Sequence, residues 1–480
     1  MSENDKGEAA RAIFSQGNAD RMADNAAAAR EEAERKAKAE RLETERKGTL
    51  TAVFSRCFYY KPKLYYFKEK NQFIPQDKES IRKRLQDAVG DSNIADILLE
   101  VESKNYIPTV YQMQPGRRAG VMESKGLKYI VLNDYYFPYE TGQQGKCDTI
   151  LNVLSSLFGD EQTPYFLAWV KGARYRIKQC LQTGDYTTAC QIMCVIGAHD
   201  LGKTNILCKL ILEPLFGGNM IDVGEMLKQG KQFNGELLGG CFLVSDDKGT
   251  MQGNNARRRA ADTMKNIGYA GNFSIEAKGK TAISVRAPWV QMILANEDDS
   301  GINSIPDFSG MEDKFMALYA ERRDSFPPNS TDEERTALNK SIADEMPAFA
   351  WYVDHYSPPM EIREESGRHA CRSFVNSKIA KMLQPLTEEA KLMNAIEMLI
   401  SDPVTLDVDA ICKPEGISAV TLQGYLKRRN LWKDENNRAI GRKLTSLCQE
   451  YPQKIQKRKA HGNISVYIIS RPADAGETEE

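Results

Sequence analysis

Gly197-Ala198-His199-Asp200-Leu201-Gly202-Lys203-Thr204 is the stretch on which the fold turns. The unbroken apolar run Ile192–Ile196 leads into it and reads as a buried strand; Lys203–Leu212 leads out of it and reads as a helix. A glycine loop set between a buried strand and a helix is the arrangement that cradles phosphate. Gly197 and Gly202 let backbone N–H groups converge on phosphate oxygens, which the start of the helix also attracts. Lys203 reaches the β- and γ-phosphates, and the Thr204 hydroxyl is a ligand for Mg²⁺. Ala198, His199, Asp200 and Leu201 complete the loop; His199 and Asp200 fill spacer positions and carry no chemistry of their own. ATP and Mg²⁺ are therefore the expected cofactors.

Hydrolysis also requires carboxylates at the tip of a neighbouring strand. Cys241–Val244 is an apolar run that ends, after Ser245, in Asp246-Asp247. One acid holds Mg²⁺, with Asp246 as the second metal residue beside Thr204; the other orients or deprotonates the attacking water. A third apolar run, Trp289–Ala295, ends at Asn296, whose amide is placed to touch the γ-phosphate or the lytic water. Strands alternating with helices (Lys203–Leu212, then about 256–266) imply a parallel sheet with helices on both faces.

The rest of the chain sets bounds. Among 480 residues with a net charge of -1, no apolar run approaches the roughly 18 residues of a membrane span. The polar N-terminus has no signal core. Ten cysteines occur without a CxxC pair, which points to buried, reduced thiols and a cytoplasmic setting, that of a bacterial host or the host cell of a mobile element. Residues 1–48 are a charged, Ala-rich arm, helical or disordered. Residues 49–150 read as a small mixed α/β domain whose aromatic runs, such as Phe58-Tyr59-Tyr60, serve strand packing. Residues 151–360 are the ATPase domain, 361–385 a linker, 386–472 a basic domain and 473–480 an acidic tail.

The order of these motifs resembles superfamily 3 helicases of the AAA+ class, in particular the phage and plasmid primase–helicase type that includes the virulence-associated E group. The likeness is carried by Gly197–Thr204, Phe233–Asp247, Phe273–Lys280 and Met292–Asn296, and it covers about residues 130–325. It implies an AAA+-like sheet, ATP-driven unwinding of single-stranded and forked DNA, and assembly into a ring, as a hexamer, with a separate primase or other replication proteins as further partners and no membrane. It also implies a basic finger between the acid strand and the Asn296 strand. The matching residues 251–286 hold Arg257, Arg258, Arg259, Lys265, Lys278, Lys280 and Arg286 against Asp262 and Glu276. A hairpin over about 274–285 would carry Lys278 and Lys280 at its tip, where they grip phosphates.

Two departures qualify the resemblance. Where the family carries an arginine that reaches the neighbouring subunit's phosphate, this chain has Lys314, with Arg322 and Arg323 a few residues on; lysine lacks the planar fork. The 150 residues before the ATPase core are also too few for a primase and lack its carboxylates. Toward the C-terminus, residues 411–471 hold 13 Lys and Arg against 4 Asp and Glu. Helices followed by a strand resemble a winged helix, with residues 421–429, including Lys427, Arg428 and Arg429, or residues 438–450 as the recognition helix. The expectation is an ATP-dependent DNA helicase or replication initiator of a phage, plasmid or virus. The alternative is a nucleotide-switched DNA-binding or scaffolding ATPase without translocation.

Overall fold

The computed structural model describes residues 27, 29–45, 47–48, 51–61, 64–70, 72–89, 94–229, 234–246, 254–365, 367–384, 387–401, 408–432, 436–460 and 464–470. Those of 27–48 are helical and exposed, with ion pairs one turn apart such as Arg35–Glu31 at 2.9 Å. The chain folds as two compact units.

The first unit comprises residues 1–114, 118–134 and 278–284. Strands β1 (Cys57–Lys61), β2 (Leu64–Glu69) and β3 (Gln72–Asp77) form an antiparallel sheet. Alternation along these strands divides their aromatic residues between two cores. Tyr65 packs with Ile81 and Val101 from helices Lys78–Val89 and Ile94–Lys104. Phe58, Tyr66 and Phe73 pack with Ile107, Val110 and Ile130. A second sheet has the order β4 (Thr109–Tyr111), β6 (Leu127–Val131), β5 (Gly120–Ser124). The aromatic runs are thus packing residues, as the sequence suggests.

The second unit, residues 115–117, 135–277 and 285–480, holds the loop Gly197–Thr204. Its strands are β7 (Ile192–Gly197), β8 (Met220–Asp222), β9 (Phe242–Ser245), β12 (Val290–Asn296) and β13 (Phe315–Ala320). The short strands β10 (Phe273–Ile275) and β11 (Ile283–Val285) intervene in the chain. The five form a parallel sheet of order β13-β7-β12-β9-β8. Every residue of β7, and β12 up to Ala295, is buried. Because successive side chains point to opposite faces, this burial requires cover on both. The α/β class is therefore as expected from the sequence, and the sheet contains two strands, β8 and β13, that sequence patterning does not pick out.

Two long helices brace this sheet. Asp148–Thr183 kinks at Gly159, whose φ of 66° lies in the left-handed region. Asp332–His355 packs against it. Between them lies a buried ion pair: Arg174 Nε and Nη2 each donate to the Asp354 carboxylate at 2.9 Å, and Lys178 adds a third contact at 2.6 Å. The remaining Arg174 donors go to the carbonyls of Leu215 and Tyr139, so the buried guanidinium is well satisfied.

Residues 392–469 enclose a separate core of Leu and Ile side chains. Helices Glu388–Ser401, Ala419–Arg428 and Asn437–Glu450 pack beside an antiparallel sheet of order β14 (Ile417–Ser418), β16 (Ser465–Ile469), β15 (Ile455–Lys459). All ten cysteines are free thiols, eight of them buried; burial pushes Cys57, Cys190 and Cys371 up to about 12. No helix among the described residues is long and apolar enough to cross a membrane.

Candidate nucleotide site and basic surfaces

The loop Gly197–Thr204 leaves β7 at a point where only glycine fits. A Cβ on Gly197 would lie 2.2 Å from the Ala320 carbonyl oxygen of the adjoining β13. The chain then reverses twice: Asp200 has φ 59° and Gly202 φ 83°, both left-handed. Gly202 has no side chain to cap the helix Lys203–Leu212, so its first N–H groups face the loop. The helix is wound with i→i+5 bonds, of which Leu207 N to Gly202 O at 3.0 Å is one.

Parallel pairing brings the other candidates to the same end of the sheet. Asn296 lies opposite Gly197, and Ser245 lies opposite Ile293 one strand further on. Lys203 is 7% exposed, and its Nζ donates to the carbonyls of Gly197 (2.8 Å) and Ala198 (2.6 Å) and to Asn296 Oδ1 (3.0 Å). The Thr204 hydroxyl donates to Asp246 Oδ2 at 3.3 Å. Lys203, Thr204, Asp246 and Asn296 therefore line one cleft of about 200 Å³, together with residues 199–202 of the loop. The cleft lies beyond the carboxyl ends of the strands, where parallel sheets bind ligands. Asp247 lies outside the described residues.

The cleft fits a phosphate chain with a divalent cation. It offers an ammonium held by neutral oxygens, a run of backbone N–H groups at a helix start, and hard oxygen donors from Thr204 and Asp246 of the kind Mg²⁺ takes. One further contact is not signalled by the loop motif. His199 Nε2 lies 2.8 Å from Asp298 Oδ2, linking the loop tip to the turn after β12. Asp298 also caps the helix Asp299–Ser304 through Gly301 N, and that backbone hydrogen bond, followed by the His199 contact, lowers its pKa. The only sequence signal for this contact is the position of Asp298 just past Asn296.

Lys314 sits elsewhere. It precedes β13 and so lies at the amino edge of the sheet, about 20 Å along the strand from the loop. Its ammonium is held by both oxygens of Asp313, at 2.6 and 2.8 Å, and its side chain is 16% exposed. Arg323 donates to the Ser156 carbonyl, while Arg322 is exposed against the Phe326 ring.

The candidate DNA contacts separate by exposure. Lys278 is exposed in the turn between β10 and β11, where the expected finger tip falls. Lys280 is exposed as well, but its ammonium is engaged: Nζ donates to the Val110 carbonyl at 2.8 Å and lies 4.4 Å from the Tyr111 ring centre, and loss of solvent lowers its pKa. Arg257 is a correction to the sequence reading. It is buried, with Nε on the Ile305 carbonyl at 2.6 Å, and so is not presented to a nucleic acid. Arg258 is exposed, 3.7 Å from Asp307. Lys427, Arg428 and Arg429 are exposed at the end of Ala419–Arg428.

Three solved structures illustrate what the chain is similar to. The A-form apo structure of the NrS-1 C-terminal region matches at 16% identity and TM-score 0.47, covering 86% of this chain and 96% of that one. SCCmec type IV Cch, described as an active helicase, matches at 11% identity and TM-score 0.34, covering 85% and 90%. JCV helicase with a bound small molecule matches at 12% identity and TM-score 0.26, covering 51% and 64%. No family model matches the chain, and no curated protein matches it.

Proposed function

We propose that this chain is an ATP-dependent DNA helicase or replication initiator of a phage, plasmid or virus, working as a hexameric ring on single-stranded DNA in the cytoplasm of a host cell. A division into domains 49–150, 151–360 and 386–472 belongs to this reading. The observation that carries it is the link from Lys203 Nζ to Asn296 Oδ1, in a cleft that also brings Thr204 to Asp246.

The chemistry follows from these contacts. Lys203 exchanges its carbonyl partners for phosphate oxygens and balances charge as the terminal phosphoryl group departs. Asn296 holds the attacking water once Lys203 turns to the phosphates, so the strand carrying it distinguishes the triphosphate from the diphosphate. Thr204 and Asp246 would hold Mg²⁺, which when bound supplies charge neutralisation on the phosphates. Lys278 is the exposed cation best placed to follow a DNA phosphate.

One observation favours the second reading, a nucleotide-switched DNA-binding ATPase without translocation. Lys314 is engaged by Asp313 of its own chain and largely covered, which does not suit a residue that must act on a neighbour. Unwinding of a forked duplex separates the two. A helicase gives strand separation that needs ATP and is lost in Lys203→Ala. Nucleotide-dependent DNA binding without strand separation would establish the switch instead.

A further inference from the structure

The basic C-terminal region contains one surface whose shape and charge identify a partner. An open groove of about 640 Å³ runs between the helix Asn437–Glu450 and the β15–β16 pair, lined by Arg438, Arg442, Thr445, Lys457, Ser465 and Tyr467 among others. Arg438 and Arg442 are one turn apart on the same helix face, and both are exposed. Lys457 lies opposite Tyr467 across the strand pair, and its Nζ reaches Thr445 Oγ1 at 3.0 Å. Among the described residues, none that lines this groove is acidic. The hydrogen bonds that Arg442 and Lys457 make go to neutral oxygens, whereas nearby Lys454 is paired with Glu397 at 2.6 Å. Three cations gathered on one open face repel one another unless an anion lies among them.

We infer that this groove docks the phosphate backbone of duplex DNA, with the helix Asn437–Glu450 entering a groove of the duplex and Lys457 on its flanking strand. A helix with its side chains is about 10–12 Å across, and the major groove is about 12 Å wide. Single-strand sites instead pair cations with exposed aromatic platforms on which bases stack. Tyr467, the aromatic residue lining this groove, is 2% exposed and its hydroxyl donates to the Gly441 carbonyl, so it offers no ring face to a base. The alternative helix, Ala419–Arg428, presents its cations only at its last turn, where Arg428 lies 4.5 Å from the Tyr425 ring centre. The inference rests on the DNA-motor reading only in taking DNA as the partner. It adds a second, double-stranded site to the single-strand path.

The test is fluorescence anisotropy of the full chain with a labelled duplex of about 20 base pairs and with one of its strands alone, across a salt series. The triple variant Arg438→Ala/Arg442→Ala/Lys457→Ala is expected to lose at least about tenfold in duplex affinity, with a log–log salt slope shallower by about 3. Its single-strand affinity and thermal midpoint are expected to stay as in wild type. Duplex affinity equal to wild type, or equal losses for duplex and single strand, would overturn the assignment. Lys203→Ala separates the two proposals: it retains duplex binding if this surface is correctly assigned, whether or not the wild-type chain proves to be a motor.

Discussion

At the scale of single residues, the site depends on who holds the Lys203 ammonium. Replacing Asn296 with Ala removes the Oδ1 that accepts from Lys203 and, on the proposed reading, the amide that would sense the phosphate. The expected result is a fall in kcat of about ten- to a hundredfold with KM nearly unchanged, read from steady-state phosphate release. An unchanged kcat would remove Asn296 from the chemistry. The His199–Asp298 contact is exposed, and exposed pairs contribute little; His199→Ala is expected to shift KM for ATP by less than about threefold. His369 makes a different prediction. It is buried edge-on to Tyr269, with Glu364, Arg368 and Asp313 acting on it, and loss of solvent, the largest influence, lowers its pKa. The folded chain therefore binds fewer protons than the unfolded one, and the stability it contributes is present above about pH 6.5 and lost as pH falls below that value. Urea midpoints at pH 7.5 and 5.5 should show a drop that is smaller in His369→Phe; equal drops would contradict it.

At the scale of elements, legibility depends on how much local pattern each one carries. β7, β9 and β12 are continuous apolar runs tied to recognisable loop residues, so the strand ends bearing Gly197, Asp246 and Asn296 are readable in the sequence. β13 is equally apolar, but it is preceded by Lys314 rather than followed by a loop motif, and a six-residue apolar run has no period of its own. Its role appears only in pairing, where Ala320 presses on Gly197. Gly197→Ala is accordingly expected to cost about 1–3 kcal/mol in stability by forcing β13 away from β7, measurable by chemical denaturation. The helix Asp332–His355 is obscured by Pro347 within it, although its capping box, Thr331 with Glu334, stands in the sequence. Thr331→Ala should cost about 1 kcal/mol, and no loss would mean the cap is not stabilising. The burial of Arg257 and the tethering of the Lys280 ammonium cannot be read locally, because charge counts do not reveal which carbonyl a side chain will find. The buried pair beneath these helices adds a pH dependence. Burial alone would raise the Asp354 pKa, but Arg174 and Lys178 outweigh it and lower it, so this stability is present above the ordinary carboxylate pKa of about 3.9 and lost as pH falls further.

At the scale of the whole molecule, the net charge of -1 conceals two local basic regions, one at the turn holding Lys278 and one in the C-terminal groove. Phosphate binding there should weaken steeply with salt even though the chain as a whole is nearly neutral. On the proposed reading, the cleft around Lys203 hydrolyses ATP and DNA on the chain accelerates it. The most direct measurement is phosphate release by purified protein with ATP and Mg²⁺, with and without single-stranded DNA, for wild type and Lys203→Ala. Turnover is expected to rise at least about fivefold with DNA and to fall at least about a hundredfold in Lys203→Ala. Turnover indifferent to DNA, or a Lys203→Ala variant as active as wild type, would contradict it.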